Sequence, residues 1–209
     1  MLEAAEISGT VKVTRRLTKR RVAAVASGYH RGAAVAPAAP DDGDFTAREL
    51  DRVAVYVEGA GPAGAAALEL PQQNRRFATE VVVVPAGSTV SFPNLDPLFH
   101  NVFSLSSAKS FDLGNYPKGQ TRNVRFDKPG IVSVHCHLHA NMSAAVVVTP
   151  NRWAVKPAAD GRFVIRDVPP GTYRLAVWHR SAGLFEKDAS TGGGSVTITI
   201  PVDAWEPAR

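Results

Sequence analysis

The stretch SVHCHLHANMSAAVVV, residues 133–148, decides the reading of this chain. It holds the only cysteine, Cys136, and three of the six histidines, His135, His137 and His139, within five consecutive positions. GIVSVHC (130–136) leads into this cluster and SAAVVVT (143–149) leads out of it. Apolar, β-branched runs of that length read as strands, so the cluster sits at the end of one strand and in the tight loop that leads to the next. Successive side chains of a strand point to opposite faces. If Cys136 points inward, His135 and His137 therefore point to the other face.

The same pattern continues along the chain. ISGTVKV (7–13), RVAVYVEG (52–59), TEVVVVPAGSTVSF (79–92), TRNVRF (121–126), RFVIRDV (162–168), TYRLAVW (172–178) and SVTITIPV (195–202) alternate or run apolar, and PAG, KPG, PPG and TGGG turn signals separate the runs. Seventeen glycines and fifteen prolines supply this punctuation, and helical periodicity is nearly absent. The fold class is all-β, and 209 residues suffice for one large or two small domains.

Charge narrows the partners. The net charge is +5, and TRRLTKRR (14–21) concentrates five of the positive residues. This segment reads either as a solvated loop or as a docking patch for an acidic partner. No aromatic residue interleaves it and no recognition motif accompanies it, so nucleic acid is not expected as a partner. From Thr14 to Phe45 the chain turns from basic to Ala/Pro-rich and then acidic, and reads as a long surface loop. No run approaches the ~20 apolar residues of a membrane-spanning helix. The opening MLEAAEIS carries Glu3 and Glu6 where a signal peptide would be basic and then apolar, so the expectation is a soluble chain without membrane insertion. One cysteine permits no internal disulfide.

VAVYVEGAGPAG (53–64) imitates a dinucleotide-binding fingerprint, a strand followed by G-x-G-x-x-G. The context is wrong for it. Only AAALEL separates Gly64 from Pro71, too short for a crossover helix, and Glu80 lies before the next strand instead of after it. A Gly/Ala-rich loop is expected there.

Two stretches converge on one site. FPNLDPLFHNVFS (92–104) offers His100 in a loop after a strand, and CHLHANM offers Cys136, His139 and Met142 at C-x2-H-x2-M spacing. One thiolate, two imidazoles and a thioether form the donor set of a blue-copper site, with sulfur and two nitrogens in a trigonal plane and methionine as a weak axial ligand. Zinc prefers a compact tetrahedron of N, S and O donors, for which methionine is a poor choice. A lone buried cysteine or methionine is ordinarily core filler. The case rests on their spacing together with His139 and His100.

From Phe77 to Val148 the chain resembles the cupredoxins. FPNLDPLFHNVFS, FDLGNYPKGQ and DKPGIVSVHCHLHANM resemble the bacterial single-domain proteins described as methylamine-utilisation or plastocyanin-like, and the short ligand loop resembles the amicyanin type. The resemblance implies a Greek-key β-sandwich binding one type 1 copper through His100, Cys136, His139 and Met142, with Asn101 tying the two ligand loops together. It also implies a periplasmic location. His137 departs from the small polar residue often found after the cysteine. A His-Cys-His sequence also occurs in multicopper oxidases, but their spacing to the next histidine is longer and a trinuclear centre needs further His-x-His pairs. His135 and His137 are left as polar surface residues or as ligands of an extra metal.

DGRFVIRDVPPGTYRLAVWH (160–179) resembles a carboxypeptidase regulatory-like, or transthyretin-like, β-sandwich. Residues 7–13 and 52–59 would complete it, giving a cupredoxin domain over 71–150 inserted between 1–70 and 151–209. Alternatively, 52–59 supplies the first cupredoxin strand. No HExxH or G-x-S-x-G motif and no carboxylate cluster near the histidines accompanies this domain, and His179 reads as a strand-end surface residue. These residues predict a single-electron carrier, not an enzyme, whose partner is a redox protein such as a c-type cytochrome. A copper-storage or delivery protein, and a redox enzyme with an extra metal at His135 and His137, are the alternatives.

Overall fold

The computed structural model describes residues 5–18 and 42–205. Alternation builds the first sheet: Ile7, Gly9 and Val11 of Ala5–Thr18 are buried while their neighbours are not. That strand pairs antiparallel with Arg162–Val168 and parallel with Val196–Trp205. Facing it is a sheet in the order Ala154–Val155, Val53–Val57, Thr172–His179, Gly183–Ser190. Between the two sheets lie Val11, Val55, Phe163, Ile165, Leu175, Val177 and Ile200. The short helix Asp42–Leu50 adds Phe45 and Leu50 to the same core.

A second sandwich carries the Cys/His segment. Its larger sheet runs Val81–Pro85, Ser143–Thr149, Gly130–His135, His100–Ser106, Lys109–Tyr116, and the smaller one runs Thr121–Phe126, Ser88–Pro93, Ala67–Glu69. Val90, Phe92, Phe126, Val132, Val134 and Val146 fill the space between them. The hairpin Gln72–Gln73 with Arg76–Phe77 closes one end. The fold is thus all-β apart from one short helix, as the strand rhythm predicts, and the described residues form two packed sandwiches.

The sandwiches share a third apolar layer. Ala54, Tyr56 and Trp178 on the outer face of one sheet meet Val81, Val83, Ile131, Ala145 and Val147 on the outer face of the other. VVVV (81–84) and AAVVV (144–148) are apolar at every position because both faces of these strands are covered, whereas solvated strands alternate. The linker between sandwiches packs tightly as well. A Cβ on Gly61 would come within 2.8 Å of both Asn151 Cβ and the Trp153 ring. The buried Asn151 amide donates to the Val57 and Gly59 carbonyls, holding that linker in place.

Several sequence expectations need correction. The loop expected over 14–45 is a strand through Thr18 and a helix from Asp42; residues 19–41, with His30 and the second half of TRRLTKRR, lie outside the described residues. A nine-residue helix is too short for its periodicity to stand out against strand patterns. Strands His100–Ser106, Lys109–Tyr116 and Gly183–Ser190 carry no clear apolar pattern, because Ser, Asn, Asp and Lys interrupt their apolar residues. Residues 53–57 pair with Ala154–Val155 and Thr172–His179, not with the sandwich that holds Cys136. The sheet of that sandwich starts at Ala67, ahead of the expected boundary at Pro71. No helix follows Gly64, in keeping with rejection of the dinucleotide fingerprint.

Candidate metal centre

Sheet register assembles the site. Gly130–His135 and Ser143–Thr149 pair with His135 opposite Ser143, so residues 136–142 form a closed loop between them. The Cys136 N–H donates to the Met142 carbonyl at 3.2 Å and the Met142 N–H to the His139 carbonyl at 2.9 Å, which fixes the loop from within. On the other side His135 pairs with Phe103, bringing the His100 strand alongside. His100 is the first residue of that strand and fully buried, not a loop residue as its sequence context suggests.

Cys136 Sγ lies 3.9 Å from His100 Nδ1 and 3.7 Å from His139 Nδ1. All three donor atoms fall within 4.8 Å of one another. A trigonal ion with bonds of about 2.0 Å to nitrogen and 2.3 Å to sulfur would have S···N edges of about 3.7 Å, so the triangle suits one metal ion. The two imidazoles meet edge to face with centroids 4.8 Å apart. Cys136 is 4% exposed and Met142 1%, while His139 is half-buried. Met142 belongs to the same core cluster as Cys136 and, through its backbone, to the same closed loop. Among the described residues this is the one grouping of three His, Cys or acidic donors close enough to share an ion.

The surrounding groups orient these ligands. His100 Nε2 lies 2.8 Å from Asp96 Oδ2, which leaves Nδ1 free to face the thiol. A metal-binding imidazole commonly gives its second nitrogen to a carboxylate in this way. Asp96 also accepts the Asn74 N–H at 2.7 Å and the Arg75 N–H at 2.8 Å. Asn74 and Arg75 have φ of 55° and 56°, so the carboxylate holds a turn that would otherwise be unfavourable for non-glycine residues. Burial alone would raise the Asp96 carboxyl; the Arg75 N–H, His100 and the Asn74 N–H outweigh it and hold it below the usual range. Burial, reinforced by the His100 and Arg75 charges, pushes His139 below the ordinary imidazole value despite the pull of Asp96. A lowered value favours the neutral imidazole that a metal requires.

Asp96 was not singled out in the sequence. The available signal was D-x3-H, Asp96 to His100, but that spacing carries meaning only once the backbone between them turns. Asn101, which the resemblance implies ties the two ligand loops together, reaches the cysteine through its backbone. Its backbone N–H points at Cys136 Sγ at 3.5 Å, while its side-chain amide donates to Asp112 at 2.6 Å.

His135 and His137 lie on the outer face, as strand alternation requires, where Val132, Val134 and Cys136 are buried and the residues between them exposed. The His137 ring stacks on Phe103 with centroids 3.7 Å apart and planes 3° from parallel, and its Nε2 lies 3.5 Å from Asp112 Oδ2. His135 leans on the same Phe103 at 5.7 Å. Both histidines thus rest against one aromatic side chain.

His179 overturns its sequence reading. It is 0% exposed instead of lying at the surface. Its Nδ1 accepts the backbone N–H groups of Ser181 and Ala182, and its Nε2 faces Glu49 of the helix at 3.2 Å.

No family model matches this chain, and no curated protein matches it. Part of it is similar in structure to several cupredoxins. A purple cupredoxin from Nitrosopumilus maritimus aligns at 22% identity over 40% of this chain and 100% of its own, with a TM-score of 0.36. Amicyanin from Paracoccus versutus aligns at 24% identity over 45% of this chain and 96% of its own, with a TM-score of 0.37. The copper-containing nitrite reductase of Thermus scotoductus aligns at 22% identity over 44% of this chain and 24% of its own, with a TM-score of 0.38.

Proposed function

We propose that this chain binds one copper ion as a type 1 site through His100, Cys136, His139 and Met142 and carries single electrons. The observation that supports this most is the triangle of one sulfur and two imidazole nitrogens, one imidazole being buried and locked by Asp96. Copper in such a donor set accepts and releases one electron with little rearrangement. Zinc fits the set less well, since a thioether adds little to its tetrahedron. The protein residues hold donors in place: the two backbone bonds of the 136–142 loop and the Asp96 carboxylate restrict His100 and His139 before any metal arrives.

His139 is the ligand with access to solvent, beside the exposed Leu138. Leu95, Leu98 and Phe99, in the segment preceding His100, are exposed too. Apolar side chains of this kind suit brief contact with a redox protein such as a c-type cytochrome. The chain acts as a carrier without catalysis of its own, in the periplasm, and the transthyretin-like reading of the other sandwich makes it a scaffold for the site. Among the described residues no helix is long and apolar enough to cross a membrane.

Titration of the full chain with Cu(II) tests the reading. Intense visible absorption saturating at one equivalent and lost in Cys136→Ser is expected; a colourless protein that prefers zinc would refute it. Rapid reduction and reoxidation against a cytochrome c separates a carrier from a storage protein, which would bind copper and exchange electrons slowly.

A further inference from the structure

Arg180 of the flanking sandwich reaches Ser143, the residue that follows the ligand loop. Arg180 sits in the turn between Thr172–His179 and Gly183–Ser190. That turn is held rigidly: His179 Nδ1 accepts the Ser181 N–H at 3.2 Å and the Ala182 N–H at 3.1 Å. With Nδ1 used as acceptor, the His179 proton belongs on Nε2, facing Glu49, whose carboxylate is gripped by Arg52 at 2.9 Å. The Arg180 N–H also donates to the Arg52 carbonyl at 3.1 Å. Glu49, Arg52 and His179 therefore fix the backbone from which Arg180 projects.

From there the guanidinium crosses to the other sandwich. Nη2 donates to Ser143 Oγ at 2.7 Å, and Nη1 donates to the Ser143 carbonyl at 3.2 Å and the Glu80 carbonyl at 3.0 Å. Glu80 Oε2 balances its charge at 3.3 Å. Ser143 directly follows Met142 and stands opposite His135, at the place where the ligand loop returns to the sheet. Both arms of a planar fork close on that one residue, a geometry an ammonium cannot reproduce.

We propose that Arg180 is a positioning residue for the ligand loop, so that the flanking sandwich sets how Met142 stands relative to Cys136 and His139. The Ser143 contact stands on the geometry; its consequence for copper rests on the function proposed above. The closing experiment uses the full chain with Arg180→Ala, Arg180→Lys and Ser143→Ala. In metal-free protein, amide hydrogen exchange at Cys136 and Met142 should quicken roughly tenfold or more in Arg180→Ala, less in the other two, with the Ser88–Pro93 amides unchanged. Adding Ser143→Ala to Arg180→Ala should add little. With copper bound, Arg180→Ala should shift the visible absorption bands and the reduction potential, and Arg180→Lys should restore them only in part. Unchanged exchange at Cys136 and Met142, or an equal rise across both sandwiches, would overturn the proposal. So would an unaltered spectrum and potential in copper-loaded Arg180→Ala. A wild-type chain that takes up no copper would refute the metal reading alone, leaving the exchange comparison to judge Arg180.

Discussion

Asp96→Asn removes a charge from a buried carboxylate that serves three donors: His100 Nε2 at 2.8 Å, the Asn74 N–H at 2.7 Å and the Arg75 N–H at 2.8 Å. Hydrogen bonds to a charged acceptor contribute about 1.5–3 kcal/mol each. Asparagine keeps one carbonyl acceptor and turns an NH2 toward the remaining donors, so roughly 3 kcal/mol of folding stability should be lost, allowing for water entering the gap. Urea unfolding of metal-free protein measures this. The pH dependence has a definite sign. Since the folded carboxyl is held below its ordinary value, its contribution is complete above about pH 4 and disappears as pH falls through the folded value. The difference between wild type and variant should therefore shrink only in acid. Copper affinity should drop about 10–100-fold, because His100 loses the partner that fixes its ring and tautomer. Equal midpoints and equal copper affinity for the two proteins would show that the carboxylate is not what orders this corner.

Other perturbations probe separate parts of the molecule. His137→Ala should leave one copper per chain by metal analysis, because its ring rests on Phe103 and not on the donor triangle; loss of an equivalent would revive the second-metal reading. Copper occupancy, followed by absorbance against pH, should hold below the ordinary imidazole value near pH 6.5 before falling, since His139 is pushed down. Phe126→Ala, at a fully buried position, should cost about 3–5 kcal/mol in denaturant unfolding. Gly61→Ala should destabilise by about 1–3 kcal/mol, because its Cβ would press on Asn151 and Trp153, and an unchanged unfolding midpoint would mean that the linker moves aside freely.

How far the strands could be read from sequence depended on how regularly their apolar residues are spaced. Thr121–Phe126, Ser143–Thr149 and Arg162–Val168 match the stretches that read as strands end to end, whereas in His100–Ser106 and Lys109–Tyr116 Ser, Asn, Asp and Lys interrupt the apolar residues. The donors His100, Cys136 and His139 were legible because thiol and imidazole have few structural uses at such spacing. Asp96, Arg180 and His179 were not, since single charged residues at turns carry no pattern until their partners are known.

The sequence by itself determined an all-β chain with a sulfur and imidazole cluster on alternate sides of a strand, because side-chain period and donor chemistry are local properties. The tertiary structure alone decided that 53–57 belongs with 172–179, that Asp96 locks His100, and that Arg180 spans two sandwiches to reach Ser143. Those contacts join residues distant in the chain or across a turn, so only the register of the sheets and the packing of their outer faces could create them.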